Sequence, residues 1–160
     1  MRNAASHFDW IFIDCPPGIG LVTTGALAAS DYVIIPVQSE PLSLRTLPQL
    51  LRQLIAVKTN HEVPLEIAGI LLTMLDAEDD ASDMVARQMR ECFDPELIFA
   101  TEIPRDPSIN LLFSGHENVG TVLPDIAERS TAIRAYQKLA KEIENKYRTQ
   151  RVPVLHERLV

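Results

Sequence analysis

Apolar and polar positions divide the chain into strand-like runs separated by stretches with helical spacing. Continuous apolar runs occupy residues 10–14, 32–37, 67–75 and 97–103. A run that is apolar on both faces is typical of a parallel strand covered on both sides. Helical patterns occupy the remaining segments, at residues 20–30, 42–59, 79–93, 107–114 and 124–148. The alternation predicts an α/β fold, a parallel sheet flanked by helices on both faces and joined by right-handed crossovers.

Individual residues predict where the helices begin and which face of the last helix is buried. Ser43 is a candidate N-cap for the second helix, which would leave Pro48 near the first turn, where proline is tolerated. The acids around Asp79 favour a helix start. Pro124 should open the last helix. We expect the buried stripe of that helix to consist of Ile126, Ile133, Tyr136, Ala140, Ile143 and Tyr147.

Composition narrows the class of protein. With 160 residues, 46% of them hydrophobic, the chain suits one domain with a real core. A net charge of -7 argues against a surface that is basic all over, as broad nucleic-acid binding would need. Cys15 and Cys92 lie far apart, which predicts reduced, buried thiols, and no histidine or cysteine spacing is typical of a metal site. We expect no membrane span and no signal peptide, and hence a cytoplasmic protein.

Asp14 is the first candidate for chemistry. It ends the apolar run at residues 10–14 and is followed by Cys15, Pro16, Pro17 and Gly18. A carboxylate at the end of a buried strand must be paired, hydrogen-bonded or metal-linked. Ligands of parallel sheets lie at the carboxyl ends of the strands. From this segment alone, a metal or nucleotide ligand and a cap of the following helix are about equally supported.

The segment from Phe8 to Pro17, FDWIFIDCPP, resembles the Walker B region of the ParA/MinD partition ATPases, particularly the ParA/Soj branch. Further segments resemble that family in its own order. They are AASDYVIIPVQ at residues 28–38, GILLTMLDA at 69–77, TEIPR at 101–105 and AYQKLAKEI at 135–143. Each motif is weak alone, but their order and spacing are specific, and together they extend over residues 8–147. The resemblance implies a P-loop NTPase fold of the SIMIBI type.

The resemblance also implies site roles. Asp14 would hold the Mg²⁺ shell, through water, as Walker B acids do. Pro16, Pro17 and Gly18 would form the switch loop that senses the γ-phosphate of ATP. The adenine pocket would be lined by Thr73, Met74, Pro104 and Arg105.

The 160 residues contain no Gly-rich phosphate loop with its lysine, which in this family lies upstream of Walker B. The resemblance is therefore to a C-terminal portion, with an N-terminally incomplete fold: residues 1–148 as a partial nucleotide-binding domain and 149–160 as a tail. Losing four phosphate-loop hydrogen bonds removes roughly 6–12 kcal/mol, and micromolar binding totals only about 8 kcal/mol. We expect this chain alone neither to bind ATP usefully nor to hydrolyse it.

In the family, the phosphate-loop strand lies between the strands that match residues 10–14 and 32–37. Without it, either those two strands close up or a groove of unpaired backbone remains. We then expect marginal stability or pairing with another chain.

The resemblance implies partners as well: a homodimer around ATP, a ParB-like partner, and non-specific DNA bound through basic residues of the last helix. Two other interpretations stay open. One is a non-enzymatic truncated module that binds a full-length homologue or its partner. The other is a related MinD-like ATPase with different cargo.

Overall fold

The structure, a computed structural model, describes residues 7–109 and 130–147. Its helices and strands are α1 (Leu21–Ala28), β1 (Tyr32–Gln38), α2 (Pro41–Asn60), β2 (Glu66–Thr73), α3 (Asp80–Cys92), a 3-10 turn (Pro95–Leu97) and α4 (Thr131–Tyr147). Within this described part, no helix is both long and apolar enough to cross a membrane. The predicted helix at 107–114 beyond Ile109, Pro124, Ile126 and the tail at 149–160 lie outside the described residues.

The sheet is built on two parallel strands, as the apolar runs predict. β1 pairs with β2 from Tyr32 opposite Glu66 to Gln38 opposite Thr73, with an irregularity after Val33. Five consecutive residues of β2, 68–72, are buried. The strand is thus covered on both faces, which is why its sequence is a continuous apolar run.

Helices cover the two faces of this sheet. On one face, Ile35, Ile70 and Leu72 pack against α2 and α3, including Leu54 and Met89. On the other face, Ala68 and Leu71 pack with Phe99 and with Leu139 and Tyr147 of α4. The predicted α/β architecture with helices on both faces is confirmed.

The prediction of a strand at residues 10–14 was wrong. This segment has no regular strand pairing, and most of its apolar side chains are exposed, with Trp10 at 41%, Ile11 at 48% and Phe12 at 73%, while Ile13 is half-buried. Among the described residues, the sheet order is β1–β2 only, so the second edge of β1 is open. An apolar run without a neighbouring strand cannot satisfy its backbone as a strand. The expected closing up of the two strands does not occur among the described residues, since residues 10–14 form no strand and β1 pairs only with β2.

The prediction of a continuous fourth strand at 97–103 was also wrong. The chain follows β2 in parallel but touches it only intermittently, through bridges of Ile70 with Ile98 and of Leu75 with Pro104. Between these bridges, Glu142 of α4 accepts hydrogen bonds from the backbone N–H groups of Ala100 (2.7 Å) and Thr101 (2.9 Å). These amides are satisfied by a side chain instead of a strand, which interrupts the ladder.

Helix boundaries and faces differ in detail from the sequence patterns. α2 begins at Pro41 with Glu40, not Ser43, as its N-cap, so Pro48 lies inside the helix. Asp79 caps α3 as predicted, accepting a hydrogen bond from the Ala81 N–H (3.0 Å).

The described part of α4 starts at Thr131, and its buried residues differ from the predicted stripe. Tyr147 is buried as predicted, but the other buried residues are Ala132 and Leu139, and Tyr136 and Ala140 are exposed. The predicted burial of the thiols also fails, since Cys92 is exposed and Cys15 is only half-buried. The direction from which the sheet meets α4 decides which residues of that helix are covered, whereas Cys15 lies outside any helix or strand.

Candidate functional site

The carboxyl ends of β1 and β2 are joined through Thr73. Its carbonyl accepts a hydrogen bond from the Ser39 N–H (3.0 Å), and its hydroxyl donates to the Val37 carbonyl (3.2 Å). Thr73, which the resemblance assigns to the adenine pocket, therefore lies where β1 and β2 end side by side.

Met74, directly after β2, has a left-handed backbone conformation with a φ of 56°. Such a conformation costs a non-glycine residue about 1–3 kcal/mol and persists where its surroundings fix it. The next residue supplies that constraint: the Leu75 N–H donates to the Ile103 carbonyl (3.1 Å), and the Leu75 carbonyl accepts from the Arg105 N–H (2.8 Å). Thr73 and Met74 are thus brought beside Pro104 and Arg105.

The Arg105 side chain lies between two carboxylates that the sequence analysis did not assign. Its Nη2 is 3.7 Å from Glu40 Oε1, and its Nε is 3.8 Å from Asp76 Oδ2. Asp76 is held in place because its N–H donates to the Ser82 hydroxyl (3.0 Å) and its Oδ1 accepts from the Glu78 N–H (3.1 Å). Glu40 and Asp76 each follow a strand at its carboxyl end, and that position was a signal from which both could have been found.

Pro17 and Gly18, which the resemblance assigns to a switch loop, line a different part of the same sheet edge. Together with Gln38 at the end of β1, Glu40 after it, and residues at the start of α2, they bound a groove of about 530 Å³. The preceding Pro16 carbonyl accepts a long hydrogen bond from the Thr23 hydroxyl in α1 (3.4 Å). Glu40 therefore belongs to both parts of this edge, because it borders the groove and also faces Arg105.

Asp14 belongs neither to the residues around Arg105 nor to those that line the groove. It is exposed, does not line the groove, and makes no hydrogen bond or ion pair with the residues that the structure describes. Residues 7–109 and 130–147 also hold no cluster of three His, Cys, Asp or Glu side chains that could bind a metal. Magnesium demands six oxygen ligands and keeps several waters. One exposed carboxylate fits a role in an outer shell but does not make a magnesium site by itself.

Asp106 organises a polar cluster that the sequence analysis missed. Its carboxylate accepts hydrogen bonds from the Ser108 N–H and hydroxyl (2.9 and 2.6 Å) and from the Ser130 and Thr131 hydroxyls (2.8 and 3.1 Å). It also accepts from the Ala132 N–H (3.2 Å) in the first turn of α4. These donors, Ser108 and Ser130 foremost, hold the pKa of Asp106 well below its usual range. The proximity of residues 106 and 130 is a tertiary feature without a local sequence signal.

Comparison with known proteins identifies the family. A profile described as an AAA domain matches residues 1–67. The sporulation initiation inhibitor protein Soj of Bacillus subtilis is 39% identical over 143 residues, which are 89% of this chain and 54% of Soj. The chromosome partitioning protein ParA of Myxococcus xanthus is 35% identical over 143 residues, 89% of this chain and 49% of ParA. The chain belongs to the ParA/Soj-like family of partition ATPases.

This ParA/Soj-like chain spans about half the length of the curated relatives that it matches. Among solved structures, it is similar to cobyrinic acid a,c-diamide synthase from Mycobacterium smegmatis, which was solved with bound ADP and magnesium. The two share a TM-score of 0.71 and 26% sequence identity over 94% of this chain and 52% of the synthase. The fold is accordingly that of a P-loop ATPase, as the motifs predicted.

Proposed function

We propose that this ParA/Soj-like chain serves in chromosome partitioning by contributing part of an ATPase site. In this proposal Asp14 acts on the Mg²⁺ shell, and Pro16, Pro17 and Gly18 form the γ-phosphate switch loop. The adenine side consists of Thr73, Met74, Pro104 and Arg105. ATP and Mg²⁺ are the ligands, and the Gly-rich phosphate loop needed to present the phosphates is not among the 160 residues.

The observation that carries the proposal is that the residues assigned to adenine, together with Pro17 and Gly18, lie at one edge of a parallel sheet. At the carboxyl end of β2, Leu75 forms a bridge with Pro104 and backbone hydrogen bonds with Ile103 and Arg105, which brings Thr73 and Met74 beside Pro104 and Arg105. Pro17 and Gly18 border a groove beside the end of β1. Nucleotide sites of open α/β sheets lie at this edge. The similarity to a structure solved with ADP and magnesium supports the same ligand class.

Isothermal titration with Mg-ATP tests how much of the site this chain holds by itself. Because the phosphate-loop donors are absent from the sequence, we expect no saturable binding at micromolar ATP. Micromolar affinity would contradict the division of the site that we propose.

A chimera tests the role of Asp14. The part of Bacillus subtilis Soj that this chain does not span would be fused ahead of this chain in one polypeptide, and circular dichroism would establish that the chimera folds. We expect ATP hydrolysis, and a loss of about 100-fold or more in rate for Asp14→Ala, within the range that single transition-state contacts contribute. Asp83→Ala, which removes another exposed carboxylate, is the matched control. A folded chimera that hydrolyses ATP equally well with Asp14→Ala would contradict the assignment.

The family resemblance extends the proposal to a homodimer, a ParB-like partner and DNA. Lys138 and Lys141 are exposed on α4, where their ammonium groups face solvent that DNA phosphates can enter. Lys146 is already used within the fold, where it donates to the Ala68 and Glu96 carbonyls (2.9 and 3.0 Å). A DNA affinity that falls with salt, and falls less steeply in Lys138→Gln, would support this surface. An affinity independent of salt would count against it.

A second candidate function is a non-enzymatic module that binds a homologous chain. The open edge of β1 and the exposed apolar segment at residues 8–12 favour it, because an unpaired edge is a template for another strand. Light scattering distinguishes the two functions: a stable complex with Soj in the absence of nucleotide would favour the module.

A further inference from the structure

The environment of Arg105 determines which part of a nucleotide it can meet. Its guanidinium is half-exposed, at 49%, and the contacts with Glu40 and Asp76, at 3.7 and 3.8 Å, are longer than hydrogen bonds. The guanidinium makes no side-chain hydrogen bond to any residue in the described ranges. Among the described residues, therefore, no partner lies within hydrogen-bond distance of its five N–H donors, and about half of the side chain is exposed to a ligand.

The charge around Arg105 is not that of a phosphate site. One guanidinium is flanked by two carboxylates, so the three side chains carry a formal charge of +1 - 2 = -1. Glu78 and Asp79 come soon after Asp76, beyond Ala77, and add negative charge to the same loop. Phosphate sites of proteins concentrate positive charge and free backbone N–H groups. An anion approaching Arg105 would be repelled by the carboxylates that flank it.

We infer that Glu40 and Asp76 are specificity-determining residues. Their carboxylates allow Arg105 to contact a neutral purine base and exclude anionic phosphate from this end of the site. The inference rests on the proposed nucleotide function and adds two residues that the family resemblance did not assign. A guanidinium stacks on aromatic rings and donates hydrogen bonds to ring acceptors, and both contacts tolerate the flanking carboxylates. Glu40 also borders the groove at Pro17 and Gly18. Its carboxylate therefore lies between the base side and the loop assigned to the γ-phosphate.

Nuclear magnetic resonance titration of this chain with adenosine, AMP and inorganic phosphate tests the inference without requiring a phosphate loop. The readouts are the Arg105 side-chain Nε–H and the backbone amides of Thr73 and Met74. We expect adenosine to shift these signals at millimolar concentration, AMP to bind no more tightly than adenosine, and phosphate to leave them unchanged.

The variants Glu40→Gln and Asp76→Asn preserve shape and remove one charge each. Exposed charge pairs contribute about 0.2–1 kcal/mol, so each variant should raise the affinity for AMP relative to adenosine by about 1.5- to 5-fold. Asp83→Asn is the matched control, because Asp83 pairs with Arg87 on the exposed side of α3 (2.9 Å), and it should leave the ratio unchanged. Amide spectra establish that each variant is folded.

Three results would overturn the inference: tighter binding of AMP than of adenosine to the wild-type chain at Arg105, an unchanged ratio in both variants, or no response of Arg105 to adenosine. Each can be told apart from failure of the proposed function. That function is judged separately, by whether ATP hydrolysis in the Soj chimera depends on Asp14.

Discussion

The Asp106 cluster gives the sharpest test of how this fold is held together. One carboxylate accepts five hydrogen bonds, from the 106–108 turn on one side and from the start of α4 on the other. Ser130 completes the cap, because its hydroxyl also accepts from the Ile133 N–H (3.1 Å). Replacing Asp106 therefore removes the side chain that fastens the N-terminus of α4 to the segment after Arg105.

The magnitude follows from these contacts. Removing an N-cap acceptor costs about 0.5–2 kcal/mol, and a hydrogen bond to a charged group contributes about 1.5–3 kcal/mol. Neighbouring bonds are not additive, and the carboxylate is partly solvent-exposed. We expect Asp106→Ala to lower the free energy of unfolding by about 2–4 kcal/mol. Asp106→Asn retains one acceptor oxygen and should lower it by about half as much.

The same cluster predicts a dependence on pH. Because the folded-state pKa of Asp106 lies below its unfolded value, the stabilisation is complete above the unfolded pKa and is lost as pH falls toward the folded pKa. An unfolded pKa of about 3.9 implies that the advantage of the wild type over Asp106→Asn shrinks between pH 5 and pH 3. The decrease should be about 1 kcal/mol at most, and less with solvent screening.

Urea denaturation of both proteins at pH 5, 4 and 3, followed by circular dichroism at 222 nm, measures this difference. Asp83→Asn serves as the control, because Asp83 makes only an exposed pair with Arg87. A difference between wild type and Asp106→Asn that stays constant over this pH range would refute the reasoning. So would an Asp106→Ala variant as stable as the wild type.

Two further stability predictions use the same measurement. Lys146→Met leaves the Glu96 carbonyl without its donor and should lower the free energy of unfolding by about 1–2 kcal/mol. The exposed control Lys138→Met should stay within about 0.5 kcal/mol of the wild type. Equal effects of the two substitutions would contradict this prediction. Gly69→Ala would place a Cβ 2.8 Å from the buried Phe99 ring and should lower the free energy of unfolding by about 1–3 kcal/mol. In the control Gly25→Ala, the new Cβ on α1 meets open space, and the substitution should be stabilising. A Gly69→Ala protein as stable as the wild type would contradict this prediction.

The site was predictable from the sequence only in part. The resemblance singled out Thr73, Met74, Pro104 and Arg105, and the structure brings these four residues together. Glu40 and the Asp106 cluster were missed, because their partners lie 65 and more than 20 residues away in sequence. Side chains that meet only through the fold leave no periodic signal along the chain.

The sequence by itself determined β1, β2, the first three helices and the family. Each of those elements carries its own periodicity, and β2 is buried over residues 68–72 as its apolar run requires. Only the tertiary structure decided the rest. Residues 10–14 have a strand pattern but no strand beside them, and the amides of Ala100 and Thr101 bond to Glu142 instead of β2. The physical reason is that a strand is satisfied by its neighbours: an apolar run specifies what it can bury, but not which chain is there to pair with it.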